Sequence, residues 1–148
     1  MLLMTVTLCS CNTHITPSDG DEVSEPADST QTLSEQIGFE MSAPATAKNV
    51  ECAVINNIIG QITFSFNSII YVYRGSKISG GAELHKKSYD ESTHTEISIG
   101  DRAAVDLYTD DDGGRIAQWY LEGTYFSLCC QKDVSDDALT ELCDLLIP

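Results

Sequence analysis

The stretch from Gln61 to Tyr73 restricts the architecture more than any other part of the chain. Ile62, Phe64 and Phe66 alternate with Thr63 and Ser65, and beyond Asn67-Ser68 the alternation resumes at Ile69, Tyr71 and Tyr73. A period of two marks a half-buried strand. If Asn67-Ser68 is a two-residue turn, Phe66 faces Ile69, Phe64 faces Tyr71 and Ile62 faces Tyr73. All six side chains then share one face, and a slip of one residue would expose the whole set. The register is therefore specified by burial.

The same test organises the neighbouring segments. A strand from Val50 to Ile55 places Val50, Cys52 and Val54 on that apolar face if Asn56-Asn57-Ile58 forms a three-residue loop. A two-residue loop would set Glu51 against Ile62. Further on, Ile97 and Ile99 pair with Val105 and Ala103 around Gly100-Asp101-Arg102, and Val105 and Leu107 lead into the turn signal Asp110-Asp111-Asp112-Gly113-Gly114. A last hairpin turns at Glu122-Gly123. It sets Trp119 against Phe126, Ala117 against Leu128 and Leu121 against Thr124 on the apolar side. Tyr120 with Tyr125, and Gln118 with Ser127, line the other.

Two helices complete the pattern. Thr32-x-x-Glu35 has the spacing of a capping box and predicts a short helix from Thr32, stopped at Gly38 and kept from resuming by Pro44. Ser135 predicts the N-cap of a helix from Asp136 to Leu146, with Asp136 and Asp137 in the electropositive first turn. Val134 and Leu139 stand at hydrophobic-staple positions, and Leu139, Leu142, Cys143 and Leu146 form one apolar stripe. The expected fold is α+β: an antiparallel meander of about six to seven strands built from hairpins, covered by the C-terminal helix, with a short N-terminal helix.

The N-terminal end reads differently. Residues 1–10 carry an uncharged apolar run, Leu2 to Leu8, too short to span a bilayer but suited to the apolar part of a secretory signal. Leu8-Cys9-Ser10-Cys11 resembles the lipobox of bacterial lipoproteins, which implies acylation of Cys11; the positive region of such a signal is expected upstream of Met1. Residues 11–31 hold Asp19, Asp21, Glu22, Glu25 and Asp28 with almost no large apolar side chain, which predicts a disordered acidic tether. Residues 32–148 then form a single domain. The expected location is extracytoplasmic, with the membrane reached through lipid.

Charge narrows the partners. Eight Lys+Arg stand against twenty-three Asp+Glu, a formal charge of −15, which disfavours nucleic acid and direct contact with an anionic membrane. Lys86-Lys87 beside His85 reads as a solvated turn. Cys52, Cys129, Cys130 and Cys143 contain no C-x-x-C spacing. Cys130 and Cys143 could meet across the core, either as a disulfide or as buried thiols acting as filler.

Taken in order, Gly38-Phe39 to Pro44, Gln61-Ile62-Thr63-Phe64, Tyr73-Arg74, Ile78-Ser79-Gly80, Ala117-x-Trp119, Gly123-Thr124-Tyr125-x-Ser127-Leu128 and the capped final helix resemble the secreted bacterial lipoproteins that carry domain of unknown function 4367. The likeness runs from about Thr32 to Ile147. Lys77 stands where similar proteins often carry an acidic residue before Ile-Ser-Gly. The resemblance implies an extracytoplasmic domain, sometimes attached to anti-sigma-type regulators, and brings no catalytic residues.

No catalytic constellation or cofactor is expected. His85 and His94 lack the i, i+4 spacing of a zinc-protease helix and read as loop histidines. Asp110, Asp112 and Gly113 match three places of a calcium loop, but Tyr108 and Trp119 occupy its first and closing places. Asp110 and Asp112 are thus a weak calcium candidate beside a plain solvated turn. Tyr108, Tyr120 and Tyr125 fall opposite the core and could form a binding surface, or steady the sheet as cross-strand pairs. The expected function is non-catalytic binding or sensing of an envelope protein or small ligand. The alternatives are a partner of a membrane signalling complex of anti-sigma type, and a small extracellular hydrolase that gathers His94 with acidic residues in a cleft.

Overall fold

The computed structural model describes residues 22–78, 84, 85 and 87–148. Its elements are β1 (Ser24–Ala27), α1 (Thr30–Ile37), β2 (Lys48–Ile55), β3 (Ile59–Phe66), β4 (Ile69–Ser76), β5 (Tyr89–Ile99), β6 (Ala103–Asp110), β7 (Arg115–Leu121), β8 (Thr124–Cys130) and α2 (Asp136–Leu146). The eight strands form one open sheet in the order β1-β2-β3-β4-β8-β7-β6-β5, antiparallel at every pairing. The sheet is therefore two four-strand meanders joined where β4 pairs with β8, not one continuous meander of six to seven strands. β1 and the long β5 are the edges.

The hairpin registers follow burial as expected. Phe66 pairs with Ile69, Phe64 with Tyr71 and Ile62 with Tyr73, across an Asn67-Ser68 turn with both φ positive, 49° and 64°. This left-handed pair matches the right-handed twist of the strands it joins. Ile55 pairs with Ile59 around Asn56-Asn57-Ile58, Ile97 with Val105 and Ile99 with Ala103, and Trp119 with Phe126 and Ala117 with Leu128.

Both helices lie on the inner face, which these pairs share except for Ile55 and Ile59; those two point to the other face and pack with Leu84. Leu33 of α1 and Leu139, Leu142, Cys143 and Leu146 of α2 join one buried cluster with Ile62, Phe64, Tyr71, Tyr73, Trp119, Phe126 and Leu128. Trp119 stacks between neighbours, its ring 5.7 Å from both Tyr73 and Phe126. α1 settles where the sheet is bare: Gly60 and Gly75 are cross-strand partners. A Cβ on Gly60 would stand 2.5 Å from Ile37 Cδ1, and one on Gly75 would stand 2.8 Å from the Phe39 ring.

Arginines clamp α2 at both ends. Arg115, buried on β7, donates to the Val134 carbonyl at 2.7 Å and the Asp136 carboxylate at 2.6 Å. Arg102 donates to the Ile147 carbonyl and to Asp144. Ser135 caps the helix by accepting from Ala138 N, and Val134 and Leu139 are both buried as a staple requires.

Several expectations are corrected. α1 starts at Thr30 with Ser29 as N-cap, because Ser29 is extended (φ −158°, ψ 167°) and its Oγ accepts from Thr32 N at 3.0 Å. Thr32 is thus inside the helix, and Glu35 accepts from Gln31 instead of closing a capping box. Within the expected tether, Ser24–Ala27 form β1, Ser29 caps α1, and Thr30 and Gln31 open that helix. Val50 is exposed because the β2 register shifts between Lys48 and Glu51 around Asn49, whose φ is +52°. The four described cysteines, Cys52, Cys129, Cys130 and Cys143, are free thiols, so Cys130 and Cys143 fill the core without a bond. The apolar run, Cys11, the spacer through Asp21, and Ser79-Gly80 lie outside the described residues.

Candidate functional site

Strand alternation that buries one side chain inward sends the next to the outer face, away from both helices. The registers carry one row across that face: Glu96 opposite Asp106, Asp106 opposite Gln118, Gln118 opposite Ser127, Ser127 opposite Arg74 and Arg74 opposite Gln61. Beside this row, Tyr120 opposes Tyr125 and Tyr125 opposes Ser76. On its other side lie Tyr108, Ile116 and Cys129, a small buried cluster of their own. The outer face is mostly polar, with two apolar islands: this one, and Ile55, Ile59 and Leu84 packed with Ala53.

The segment leading into β5 lies against this face through directional bonds. Arg74 donates to Gln61 Oε1 at 2.7 Å, to both Glu22 carboxylate oxygens at 3.1 Å, and to the Leu84 carbonyl at 2.6 Å. Lys87 pairs with Asp110 at 2.9 Å. His85 Nε2 lies 3.1 Å from the Ser127 carbonyl and its Nδ1 lies 3.3 Å from Cys129 Sγ. A carbonyl only accepts, so Nε2 carries the proton and Nδ1 receives the thiol hydrogen. His85 and Lys87 are thereby anchored in the fold, not solvated loop residues.

Cys129 and His85 have the residue types of a nucleophile and its base, but the electrostatics keep both neutral. Burial raises the thiol to about 12, against the opposing pull of Lys87 and Arg74. Burial, helped by the positive charge of Arg74, lowers the imidazole to about 3. An activated cysteine requires the reverse: a depressed thiol beside a proton-accepting or charged imidazole. The contact is a packing hydrogen bond. For Lys87, burial works against the charge, yet the hydrogen bond and charge of Asp110 reverse it and the net shift is upward.

The residues singled out by sequence separate into three places. Tyr120 and Tyr125 are exposed and paired, ring centroids 4.7 Å apart at 53°. Tyr108 lies on the same face but is buried under Tyr89 at 4.4 Å and His94 at 4.9 Å, so it stands outside the exposed patch. Burial raises its phenol, with the Asp106 charge adding and a side-chain hydrogen bond to Gln118 opposing. Asp110 Oδ1 accepts from the Asp112 and Gly114 amides, and its other oxygen from Lys87; protein donors hold that turn. No group of three or more His, Cys, Asp or Glu gathers to hold a metal ion among the described residues.

His94 meets one acidic residue, Asp106, at 2.8 Å, with both side chains 41 % exposed. That is a surface pair, not a cleft. An open groove of about 500 Å³ lies beside α1, lined in part by Thr30, Ser34, Glu35, Phe39, Glu40 and Met41. Asp106, Glu96 and Arg74 were not among the sequence candidates. Alternation around Val105 and Leu107 places Asp106 on the outer face, and the local hairpin that pairs Ile97 with Val105 brings Glu96 opposite it. No helix among the described residues is long and apolar enough to cross a membrane. No family model, curated protein or solved structure matches the chain.

Proposed function

We propose that this chain is a lipid-anchored, extracytoplasmic binding module that acts through the outer face of its sheet. The observation that carries the reading is the exposed Tyr120–Tyr125 pair, set on the polar side of a sheet whose other side is sealed by two helices. Tyrosines left in water on a rigid sheet offer broad contact at small entropic cost. The anchor rests on Leu8-Cys9-Ser10-Cys11. Kinship with the lipoproteins carrying domain of unknown function 4367, and with it a role beside an anti-sigma-type signalling complex, belongs to the same proposal and rests on the order of short motifs.

The test is metabolic labelling of the full chain in a bacterial host with an alkyne-tagged fatty acid. Label is expected on the wild type and absent from Cys11→Ala, which leaves the membrane fraction. A wild-type chain that takes no label and stays in the cytosol overturns the placement.

A further inference from the structure

We infer that the outer-face row Glu96–Asp106–Gln118, backed by the buried Ser127 and walled by Tyr120 and Tyr125, receives the cationic side chains of a basic polypeptide segment. This names a partner chemistry for the binding module proposed above and rests on that reading.

The first support is a missing donor. Gln118 Oε1 and Ser127 Oγ are closed off from solvent and have no hydrogen-bond partner, and they sit on directly opposed residues of β7 and β8. Ser127 is fully buried. Buried polar groups are almost always paired, so two neighbouring orphans mark a place where a hydrogen-bonding group is wanted. Arg74, the cation nearest in the row, does not serve them; it is committed to Gln61, Glu22 and the Leu84 carbonyl. The Gln118 oxygen calls for a donor.

The second support is the chemistry of the surroundings. Next to Gln118 come the carboxylates of Asp106, one oxygen of which meets His94, and then Glu96, and the Tyr120 and Tyr125 rings are exposed beside them. Carboxylates, an amide oxygen and aromatic faces all favour an ammonium or guanidinium group over an anion. The whole chain adds to the field. With eight cations for twenty-three carboxylates, and Arg74, Lys87, Arg102 and Arg115 already paired internally, the surface draws basic partners by long-range attraction.

Shape decides between a peptide and a free amine. A small ligand needs most of its surface enclosed, whereas Tyr120 is 58 % and Tyr125 40 % exposed on an open sheet. Glu96, Asp106, Gln118 and Tyr125 lie on four neighbouring strands, about 14 Å across, the reach of several residues of extended chain. An extended basic segment covers that row; a single amine does not.

The experiment titrates the full chain with an acetylated, amidated heptapeptide of alternating Lys and Ser, followed by calorimetry, with N-acetyl-lysine methylamide as the free amine. Four variants are compared: Tyr120→Ala with Tyr125→Ala, Asp106→Asn, Gln118→Leu, and Asp137→Asn with Glu141→Gln on the solvent side of α2. Affinity is expected to fall at least tenfold for the tyrosine pair and about fivefold for Asp106→Asn, and to change less than twofold for the α2 control. Gln118→Leu removes an orphan acceptor together with the hydrogen bond to Tyr108, so the two offset and the melting temperature should stay nearly unchanged while the peptide is weakened. Equal losses in the α2 control, unchanged affinity in Gln118→Leu, or no binding to the wild type overturns the site. A free amine as tight as the peptide overturns the polypeptide assignment. Either failure with Cys11 still acylated leaves the anchored module standing and removes its ligand.

Discussion

The inner face of the sheet is closed by shape, with Phe64, Tyr71, Tyr73, Trp119 and Phe126 packed under Leu139, Leu142 and Leu146. The outer face buries only two small apolar islands, Tyr108–Ile116–Cys129 and Ile55–Ile59–Leu84, and is otherwise closed by bonds with direction: Arg74 to Glu22 and the Leu84 carbonyl, His85 to Ser127 and Cys129, Lys87 to Asp110. Apolar packing needs bulk in the right layer, so it scales with area and tolerates small shifts. A hydrogen-bonded face needs each partner at one angle, and leaves orphans such as Gln118 Oε1 where a partner is lacking. One face supplies most of the stability, and the other is the one on which we propose recognition takes place.

The sharpest way to break that contrast is to empty a matched position on each side. Leu142 is fully buried under the inner face, while Ile70 on the outer face is 52 % exposed. Leu142→Ala should cost about 2–5 kcal/mol through lost transfer energy and the cavity left behind. Ile70→Ala should stay within about 0.5 kcal/mol. Urea midpoints at unchanged slope measure both, and similar losses would mean the outer face carries packing that its exposure does not show.

The same contrast explains what could be read in the sequence. Inner-face registers were legible because Ile62, Phe64, Phe66, Ile69, Tyr71 and Tyr73 repeat a period of two around a short turn, and local turns transmit register directly. β1 was not, because Ser24-Glu25-Pro26-Ala27 has no apolar alternation. It is held by its main-chain ladder to β2, extended by Asn56, whose side-chain Oδ1 accepts from Val23 N and whose own N donates to the Val23 carbonyl. The early part of β5, from Tyr89 to His94, is polar for the same reason that it is an edge. The β4–β8 join and the His85–Cys129 contact link residues 44 or more apart, and no local pattern encodes them. On the candidate patch, Tyr120, Tyr125, Gln118 and Ser127 were visible by parity and Glu96–Asp106 by the local hairpin, whereas the place of that pair beside Gln118 needed the β6–β7 register.

His85 allows the outer face to be tested by pH. Its folded value is pushed down to about 3 from the ordinary 6.5, so the unfolded chain takes up a proton first as pH falls. The stability tied to neutral His85 is complete above pH 6.5 and drains away as pH drops from there toward 3. At pH 5 the loss is on the order of 2 kcal/mol. His85→Gln, whose amide does not titrate, should flatten that part of the stability curve. An unchanged slope between pH 7 and 5 would show that His85 is as wet in the folded chain as in the unfolded one.

A smaller effect probes the seat of α1 on the sheet. A Cβ at position 75 would press on the rings of Phe39 and Phe126 at 2.8 and 3.0 Å, and Phe39 is only half-buried and can yield. Gly75→Ala should therefore cost about 1 kcal/mol, the low end of overpacking, with the T-shaped Phe39–Phe126 contact at 6.0 Å opening as seen by their ring resonances. A stabilising Gly75→Ala would mean that the lost backbone entropy outweighs the crowding.

The smallest effect is the one that matters most for recognition. Tyr120 and Tyr125 touch each other across the last hairpin, and such an aromatic pair contributes roughly 0.2–1 kcal/mol to a sheet. If the pair existed chiefly to steady β7 and β8, removing both rings would approach the upper figure, and the two single changes would be coupled in a double-mutant cycle. If the rings are held out for a partner, Tyr120→Ser with Tyr125→Ser should cost no more than about 0.5 kcal/mol, because the inner-face pairs Trp119–Phe126 and Ala117–Leu128 already set the hairpin register. Melting curves of the four members of the cycle separate these cases: a coupling near 1 kcal/mol assigns the tyrosines to the sheet, and a coupling near zero leaves them to whatever the outer face binds.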